Sequence, residues 1–401
     1  MNVDTMRKVD YYIGVPLTFV ATGIIKFAAL FKKKSTSVKK ILFIELSEMG
    51  STIIVDPAMR KAQQHFNADL YFLIFKKNKV SLDILKTVPE KNIFTMREDN
   101  VFTLIWDTFR YLWWARHQKF DAMIDLELFS RVTALLGGFS GATHRVGFYR
   151  FHNEGLYRGN MLTHKVSYNP HIHIGKNFIA LVNALISNNG EVPYSKTQIL
   201  DSELKLPLVS STEEQRTVIF NKIKVITPEF SPEQHKIVLI NPNASDLLPQ
   251  RRWMPEHFIE LMQKILNDNP AHYVLITGAP GEREQAENLL KQVQHPRCVN
   301  FAGQVKFREL IDLYNVSKLM VTNDSGPGHF SAVTPLKTFV IFGPETPHLY
   351  GSLGNSTPIY AGLACSPCVS AANHRKTACN DNVCLKVIKP EFVYSVIKAS
   401  L

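Results

Sequence analysis

The stretch Leu319 to Pro344, LMVTNDSGPGHFSAVTPLKTFVIFGP, constrains the fold of this 401-residue chain more than any other. A short apolar run, Leu319-Met320-Val321, ends in Thr322-Asn323-Asp324; Ser325-Gly326-Pro327-Gly328 follow, and a helix-like segment then carries His329, Phe330, Ala332 and Val333. A second apolar run, Thr338 to Phe342, completes a strand–turn–helix–strand unit. In an open α/β sheet ligands bind at the carboxyl ends of the strands, where this turn falls. Ser325, Gly326 and Gly328 put bare backbone N–H groups at a helix start, where the dipole favours a phosphate. Asp324, at the strand tip, suits a ribose or sugar hydroxyl, and His329, about one turn in, suits the same cleft. From its residues alone the unit is equally an ordinary βα turn with a buried histidine, because Gly-rich turns are common in α/β proteins.

The rest of the chain narrows the class. At 45% hydrophobic and 20% charged residues the composition is that of a globular protein, long enough for two or three domains. The net charge is +11, and residues 1–40 carry eight Lys/Arg (Arg7, Lys8, Lys26, Lys32, Lys33, Lys34, Lys39, Lys40) against Asp4 and Asp10. More than half of the excess thus lies beside an apolar run, Tyr11 to Phe31, which points to anionic lipid; no nucleic-acid-binding fingerprint is present. The run is long enough to span a bilayer, but Gly14-Val15-Pro16, Gly23 and Lys26 interrupt it. Thr18, Thr22, Lys26 and Lys33 share one arc of a helical wheel, which favours a helix lying in the membrane interface. A single-pass helix through residues 11–31 and a helix docked on the protein are the alternatives. Lysines after the run put the bulk of the chain on the cytoplasmic face of an inner membrane in either membrane reading.

Asp324 to Pro335 reads D-S-G-P-x-H-x-x-A-x-x-P and is followed by Phe342-Gly343-Pro344. This resembles the signature of the heptosyltransferase family (glycosyltransferase family 9), GT-B transferases that move heptose from ADP-heptose onto lipopolysaccharide core. The resemblance covers roughly residues 40 to 390. It implies an α/β fold of GT-B type, two Rossmann-like domains facing a cleft, preceded here by a membrane-associating helix. The expected division is an anchor at 1–40, an acceptor domain at 41–205, a linker at 206–235, a nucleotide-sugar domain at 236–388 and a last helix at 389–401.

In the first domain, Lys40 to Leu46 reads as a buried strand and Ser47-Glu48-Met49-Gly50-Ser51 as the turn after it. Runs at Leu70 to Phe75, Ala122 to Leu126 and Arg145 to Phe148 alternate with helical patterns, as a parallel sheet requires. The turn resembles the family's L-S-S-x-G-D loop, whose aspartate is implied to be the general base. Ser51 replaces that aspartate, so Glu48 is the expected base, taking the proton of the acceptor hydroxyl while Ser51 orients it. The alternative is Glu48 as a solvated loop acid. Phe120 to Leu126 resembles the family's Y-D-x-x-I-D-L strand, leaving Asp125 either cleft-facing or structural. Trp106, Trp113 and Trp114 read as core or domain-interface residues. His164, Lys165, His171, His173 and Lys176 read as a solvated polar cluster, with an anionic acceptor as the other reading.

In the second domain, Lys236 to Ile240 begins a sheet and leads to Asn241-Pro242-Asn243-Ala244-Ser245 and Arg251-Arg252-Trp253-Met254-Pro255. The resemblance puts Arg251 (or Arg252) at the basic residue that contacts the donor phosphates, with Ser245 adding a hydroxyl. It puts Glu282 at the acid that reaches the ribose, with Glu284 the fallback and a helix-capping acid the plain alternative. No D-x-D motif lies at a strand end, so the leaving-group charge falls to Arg251 and the Ser325-Gly326 helix start. Transfer is therefore expected to need no metal or other cofactor. Cys365, Cys368, Cys379 and Cys384 are read as a structural zinc site, as packed thiols or as disulfides.

The expected partners are an ADP-heptose donor, a lipid-linked saccharide acceptor and the inner membrane surface, with no nucleic acid. Two rival activities share these residues: a GT-B nucleotide-sugar epimerase or hydrolase, and a non-catalytic nucleotide-sugar binder.

Overall fold

Near-continuous apolar runs of four to seven residues, without polar alternation, are what a parallel strand buried on both faces looks like in sequence. A computed structural model of the chain, describing residues 8, 10–31, 37–47, 49–128, 130–152, 156–187, 190–370 and 375–401, turns such runs into strands and adds shorter or more polar strands at the sheet edges. The chain divides into two compact units, Met1–Leu204 and Lys205–Leu401.

The first unit holds β1 (Lys40–Ile44), β2 (Asp69–Phe75), β3 (Ile93–Met96), β4 (Ala122–Asp125), β5 (His144–Phe148) and β6 (His164–Val166). They form one parallel sheet in the order β3-β2-β1-β4-β5-β6. Its helices are α1 (Gly14–Ala29), α2 (Met49–Ile54), α3 (Asp56–Phe66), α4 (Val101–Gln118), α5 (Arg131–Phe139) and α6 (Ile174–Ile186). α4 starts at a reciprocal cap between Asn100 and Thr103 and stops where Lys119 turns left-handed.

The second unit repeats the plan. Here α7 (Glu213–Ile226) precedes β7 (Lys236–Asn241), α8 (Pro255–Asp268), β8 (His272–Ile276), α9 (Arg283–Val293) and β9 (Cys298–Asn300). Then come α10 (Leu310–Asn315), β10 (Leu319–Asn323), α11 (Gly326–Ser331), β11 (Lys337–Phe342), β12 (Ser356–Tyr360) and α12 (Pro390–Ile397). The sheet order is β12-β11-β10-β7-β8-β9, again all parallel. In each sheet the strand order reverses beside the first strand, between β1 and β4 and between β7 and β10. That reversal opens the crevice where open α/β sheets take their ligands.

The polar stretch 205–234 opens the second unit: Thr212 and Gln215 cap α7, and Ser211 Oγ donates to Asp312 at 2.6 Å. Three expectations are revised. The first turn is shorter than expected, because α2 begins at Met49 and buries Ser51 inside a helix. Trp114 packs against Tyr71, Phe94 and Phe120, but Trp106 and Trp113 are exposed rather than core. His164 is half-buried rather than freely solvated; its ring lies 5.5 Å from that of His144 and 4.8 Å from that of Tyr194.

The apolar N-terminal run is one helical stretch, Asp10–Ala29, of mean hydropathy 1.5, and is long enough to cross a membrane. Only a narrow stripe of it is buried. Gly14, Thr18, Ala21 and Ile25 face the domain, and Ala21 and Ile25 cluster with Ala134 of α5 and Met161. Burying Ile25 contributes roughly 2 kcal/mol. Thr22 Oγ1 accepts from Asn160 N–H at 2.8 Å, and Arg131 pairs with Asp10.

Burial, reinforced by His144 and Arg145, pushes the His164 imidazole down from its ordinary 6.5 to about 4. It is neutral when folded and takes up a proton on unfolding below pH 6.5, so its contribution is lost as pH falls from about 6.5 to about 4. The loss reaches about 3 kcal/mol at most. Denaturant titrations of His164→Gln are expected to show a flatter fall in stability over that window than the parent chain, and equal slopes would refute the assignment.

Candidate functional site

The tips of β7 and β10 lie side by side, since Thr322 is in register with Asn241. Asn323 ties the segments beyond the two tips together: its Oδ1 accepts from Trp253 N–H at 3.0 Å and its Nδ2 donates to Pro242 O at 2.8 Å. Trp253 is fully buried, and its Nε1 donates to Ile388 O at 2.8 Å. It is a post under α8, and it aims the residue two before it.

That residue is Arg251, whose side chain is 15% exposed. Its guanidinium donates to Glu345 Oε1 at 2.6 Å and lies 3.5 Å from Asp324 Oδ2, an ion-pair distance. Arg375 Nε approaches the same Glu345 oxygen at 3.4 Å, and its guanidinium stacks over the Tyr350 ring. Burial would drive the Arg251 proton off, but Asp324 and Glu345 outweigh it and hold the pKa above its ordinary value. The cation is therefore permanent. Arg252 turns away, onto Ala244 O and Asp246, so Arg251 is the arginine at the switch point.

Ser325 Oγ donates to Asn323 O at 3.1 Å, and Ser245 Oγ accepts from Leu247 N–H at 3.2 Å. α11 has six residues, and Pro327 in its first turn offers no N–H, so Gly326 has fewer donor neighbours than the sequence suggests. His329 Nδ1 lies 3.5 Å from Ser352 Oγ. Glu282 does what a capping acid does: it accepts from Ala279 N–H at 2.6 Å, and also from Asn243 Nδ2 at 3.0 Å. Glu284 is exposed. Asp324, Arg251 and Glu345 are thus brought together, while Glu282 stands at the tip of the neighbouring β8, linked through Asn243. Glu345 and Arg375 have no counterpart in the sequence reading. The signal available for Glu345 was its place directly after Phe342-Gly343-Pro344.

In the first sheet the equivalent crevice carries acid. Glu127 Oε1, just past β4, accepts from Leu46 N–H at 3.1 Å, Ser47 N–H at 3.2 Å and Ser47 Oγ at 2.7 Å. Glu127 N–H in turn donates to Asp125 Oδ1 at 3.1 Å. Asp125 is buried and pairs with Arg158, which also donates to Glu127 O and Ser130 O. Burial pushes the Asp125 carboxyl up, and Arg158 pulls it back. The sequence missed Glu127 and Arg158, because nothing near either residue in the chain marks its partner. Glu48 lies outside the described residues, and Ser51, in α2, brings no carboxylate to this loop.

The five cysteines are free thiols, so the disulfide reading fails. Burial and the nearby Cys368, Cys379 and Cys365 raise the Cys384 thiol. Yet among the described residues no three of His, Cys, Asp or Glu stand in a geometry that holds a metal ion, so the zinc set is not assembled.

Comparison with known proteins gives the family and the fold. The family model for Glycosyltransferase family 9 (heptosyltransferase) matches residues 112–378. Lipooligosaccharide heptosyltransferase 2 of Campylobacter jejuni serotype O:6 is 31% identical over 185 residues, 44% of this chain and 55% of that protein. The chain spans about half the length of the curated relatives it matches. Among solved structures, the ADP-heptose lps heptosyltransferase II of E. coli superposes with a TM-score of 0.69 at 20% identity, covering 90% of this chain and 98% of that one. A family 9 glycosyl transferase from Veillonella parvula gives 0.69 at 16% identity, covering 91% and 97%. The fold is GT-B, two Rossmann-like parallel-sheet domains with an apolar N-terminal helix. With the family model matching well over half of its residues, including both strand-tip motifs of the second sheet, the chain belongs to glycosyltransferase family 9, the heptosyltransferases.

Proposed function

We propose that this protein transfers heptose from ADP-heptose to a saccharide of the lipopolysaccharide or lipooligosaccharide core, with inversion and without a metal. The observation that carries the reading is the permanently charged Arg251 at the β7–β10 switch point, set against Asp324. An ADP leaving group develops charge on its β-phosphate as the bond to the anomeric carbon breaks. A guanidinium already aimed and partly dehydrated stabilises that charge better than water does. Asp324 takes sugar hydroxyls, Ser325, Gly326, Ser245 and His329 line the phosphates and sugar, and Glu282 reaches the ribose while capping its own turn. The acceptor hydroxyl attacks the anomeric carbon from the face opposite ADP, and its proton passes to a carboxylate. Glu48 is that base, and Glu127, which holds the Leu46 and Ser47 N–H groups that precede it in the chain, is a positioning residue.

Ser51 favours one other reading. A helix-buried serine at the position of the family's aspartate suits a protein that binds the nucleotide-sugar without turning it over. Glu48→Gln separates the two, since a transferase loses turnover and a binder has none to lose.

The acceptor is membrane-borne, and α1 is an interfacial anchor on the cytoplasmic face of the inner membrane. Its support is the narrow buried stripe beneath a mostly exposed apolar surface, with Lys26 exposed and Lys32, Lys33 and Lys34 following in the chain.

Calorimetry is expected to show ADP and ADP-heptose binding in preference to UDP or GDP, lost in Asp324→Ala. Arg251→Met is expected to lower kcat/KM for heptose transfer about 100-fold or more. Preference for UDP or GDP, or full turnover by the Arg251 variant, would overturn the donor assignment. Glu127→Ala is expected to speed hydrogen exchange at the Leu46 and Ser47 amides about tenfold or more and to lower kcat with little change in KM for the donor. Unchanged exchange would remove Glu127 from the loop's support.

A further inference from the structure

α4 carries a second apolar face that no part of the proposed chemistry uses. Phe102, Ile105, Trp106, Phe109 and Trp113 recur at the spacing of one helical face. Phe102 is 85% exposed, Trp106 63%, Phe109 65% and Trp113 67%. The opposite side of the helix is firmly placed: Tyr111 and Ala115 are buried in the core, and Asp107 is buried against Arg97 and Arg110. The outward rotation is therefore set by packing. A contiguous apolar surface of this kind marks an interaction site in a soluble domain.

Where this face lies is set by α5. Residues 131, 134 and 138 of α5 meet α1: Arg131 pairs with Asp10, Ala134 clusters with Ala21 and Ile25, and Gly138 abuts Ile25. Leu136, on another side, packs with Tyr111 and Ala115 of α4, while Tyr111 Oη donates to Leu136 O and Arg116 Nε to Phe139 O. Thr133 and Gly137 point to the sheet, at Asp125 and Met123. With 100° per residue, these directions put α1 and α4 on opposite flanks of α5 in one layer. Val132, 39% exposed, is the outward residue between them. The exposed apolar surfaces of α1 and α4 thus flank a common middle helix on the same side of the sheet.

Within the two helices the exposed charges have one sign, with Asp99 just before α4 and Asp10, paired with Arg131, just before α1. In α4 Asp107 is the sole acid and is buried, whereas Arg110, Arg116 and His117 are exposed. α1 has no acid from Gly14 to Ala29 and exposes Lys26, and burial together with Lys26 lowers the ammonium pKa of Lys165 nearby. Tryptophans beside arginines on an apolar helix face fit the boundary of an anionic bilayer, where the rings sit at headgroup depth and the cations meet lipid phosphates.

We infer that the α4 face docks on an anionic bilayer together with α1, so that the first domain rests on the membrane through a three-helix layer rather than through its N-terminal helix alone. The inference rests on the reading of α1 as an interfacial anchor. Two contacts separated by a helix hold the domain at one orientation, whereas a single helix leaves it free to roll. An enzyme whose acceptor is confined to that surface gains from a fixed orientation, because its acceptor crevice meets the lipid-linked sugar repeatedly at one height.

The test uses the full chain and vesicles of phosphatidylethanolamine and phosphatidylglycerol, with phosphatidylcholine vesicles for comparison. Lipids brominated high on the acyl chain are expected to quench tryptophan emission, and the quenching is expected to vanish in Trp106→Phe/Trp113→Phe, leaving Trp114 and Trp253 inside the protein. Phe102→Gln/Phe109→Gln, at exposed positions, is expected to weaken binding to the anionic vesicles about tenfold with the thermal midpoint unchanged. Phe19→Gln/Phe27→Gln on α1 reports the anchor separately. If only the α1 variant loses binding and no quenching traces to Trp106 or Trp113, the α4 contact falls and the anchor stands. If the parent chain binds no vesicle, both fall. If Phe102→Gln/Phe109→Gln abolishes self-association in sedimentation while vesicle binding is unchanged, the face joins copies of the chain, and the membrane assignment is overturned.

Discussion

A guanidinium removed from water survives only if carboxylates replace the water, and around Arg251 two do so, Asp324 and Glu345, with Arg375 sharing the second. Four charges of alternating sign cancel, which is why the cluster can sit at the base of a crevice without unfolding it. Removal of any one leaves an uncompensated buried charge, a far larger penalty than the worth of a surface pair. The scaffold around the cluster answers that demand. Asn323 and Trp253 fix the backbone that presents Arg251, and the β10 register fixes Asp324.

The two sheets use the same strand order and put different charge clusters at its reversal. In the second, the Arg251 guanidinium is held between Asp324 and Glu345. In the first, Glu127 and Asp125 gather N–H groups and Arg158 around the loop after β1. Arg251 and Arg375 balance Asp324 and Glu345 at the second reversal, whereas Glu127 and Asp125 outnumber Arg158 at the first. The common fold supplies the crevices, and the strand-tip residues supply the charges.

The N-terminal helix shows how little burial holds an element whose other surface is useful. Four small or medium side chains, Gly14, Thr18, Ala21 and Ile25, make the contact with the domain, helped by the Arg131–Asp10 pair. The approach is close at Gly14, where an added Cβ would come within 2.9 Å of Arg131 Cδ and 3.1 Å of its Cβ. The exposed remainder is apolar and flanked by lysine in the sequence. α4 likewise pairs a buried face with an exposed apolar one, reached from a different sequence pattern.

The alternation of unbroken apolar runs with helical periods determined both parallel sheets, since strands buried on two faces cannot hide that pattern. The spacing of Asp324, Ser325, Gly326 and His329 marked the second crevice for the same local reason: a strand tip, a turn and a helix start are written consecutively. Side-chain partnership was decided only by the tertiary structure. Arg251 meets Glu345 across 94 residues and Glu127 meets Ser47 across 80, distances over which register and helix rotation, not spacing, choose the neighbour. The choice between Arg251 and Arg252 turned on a single backbone step held by Trp253. Trp106 and Trp113 are not core residues: composition tells that a tryptophan is apolar, whereas only the rotation of α4 on its buried Asp107 and Tyr111 tells which way it points.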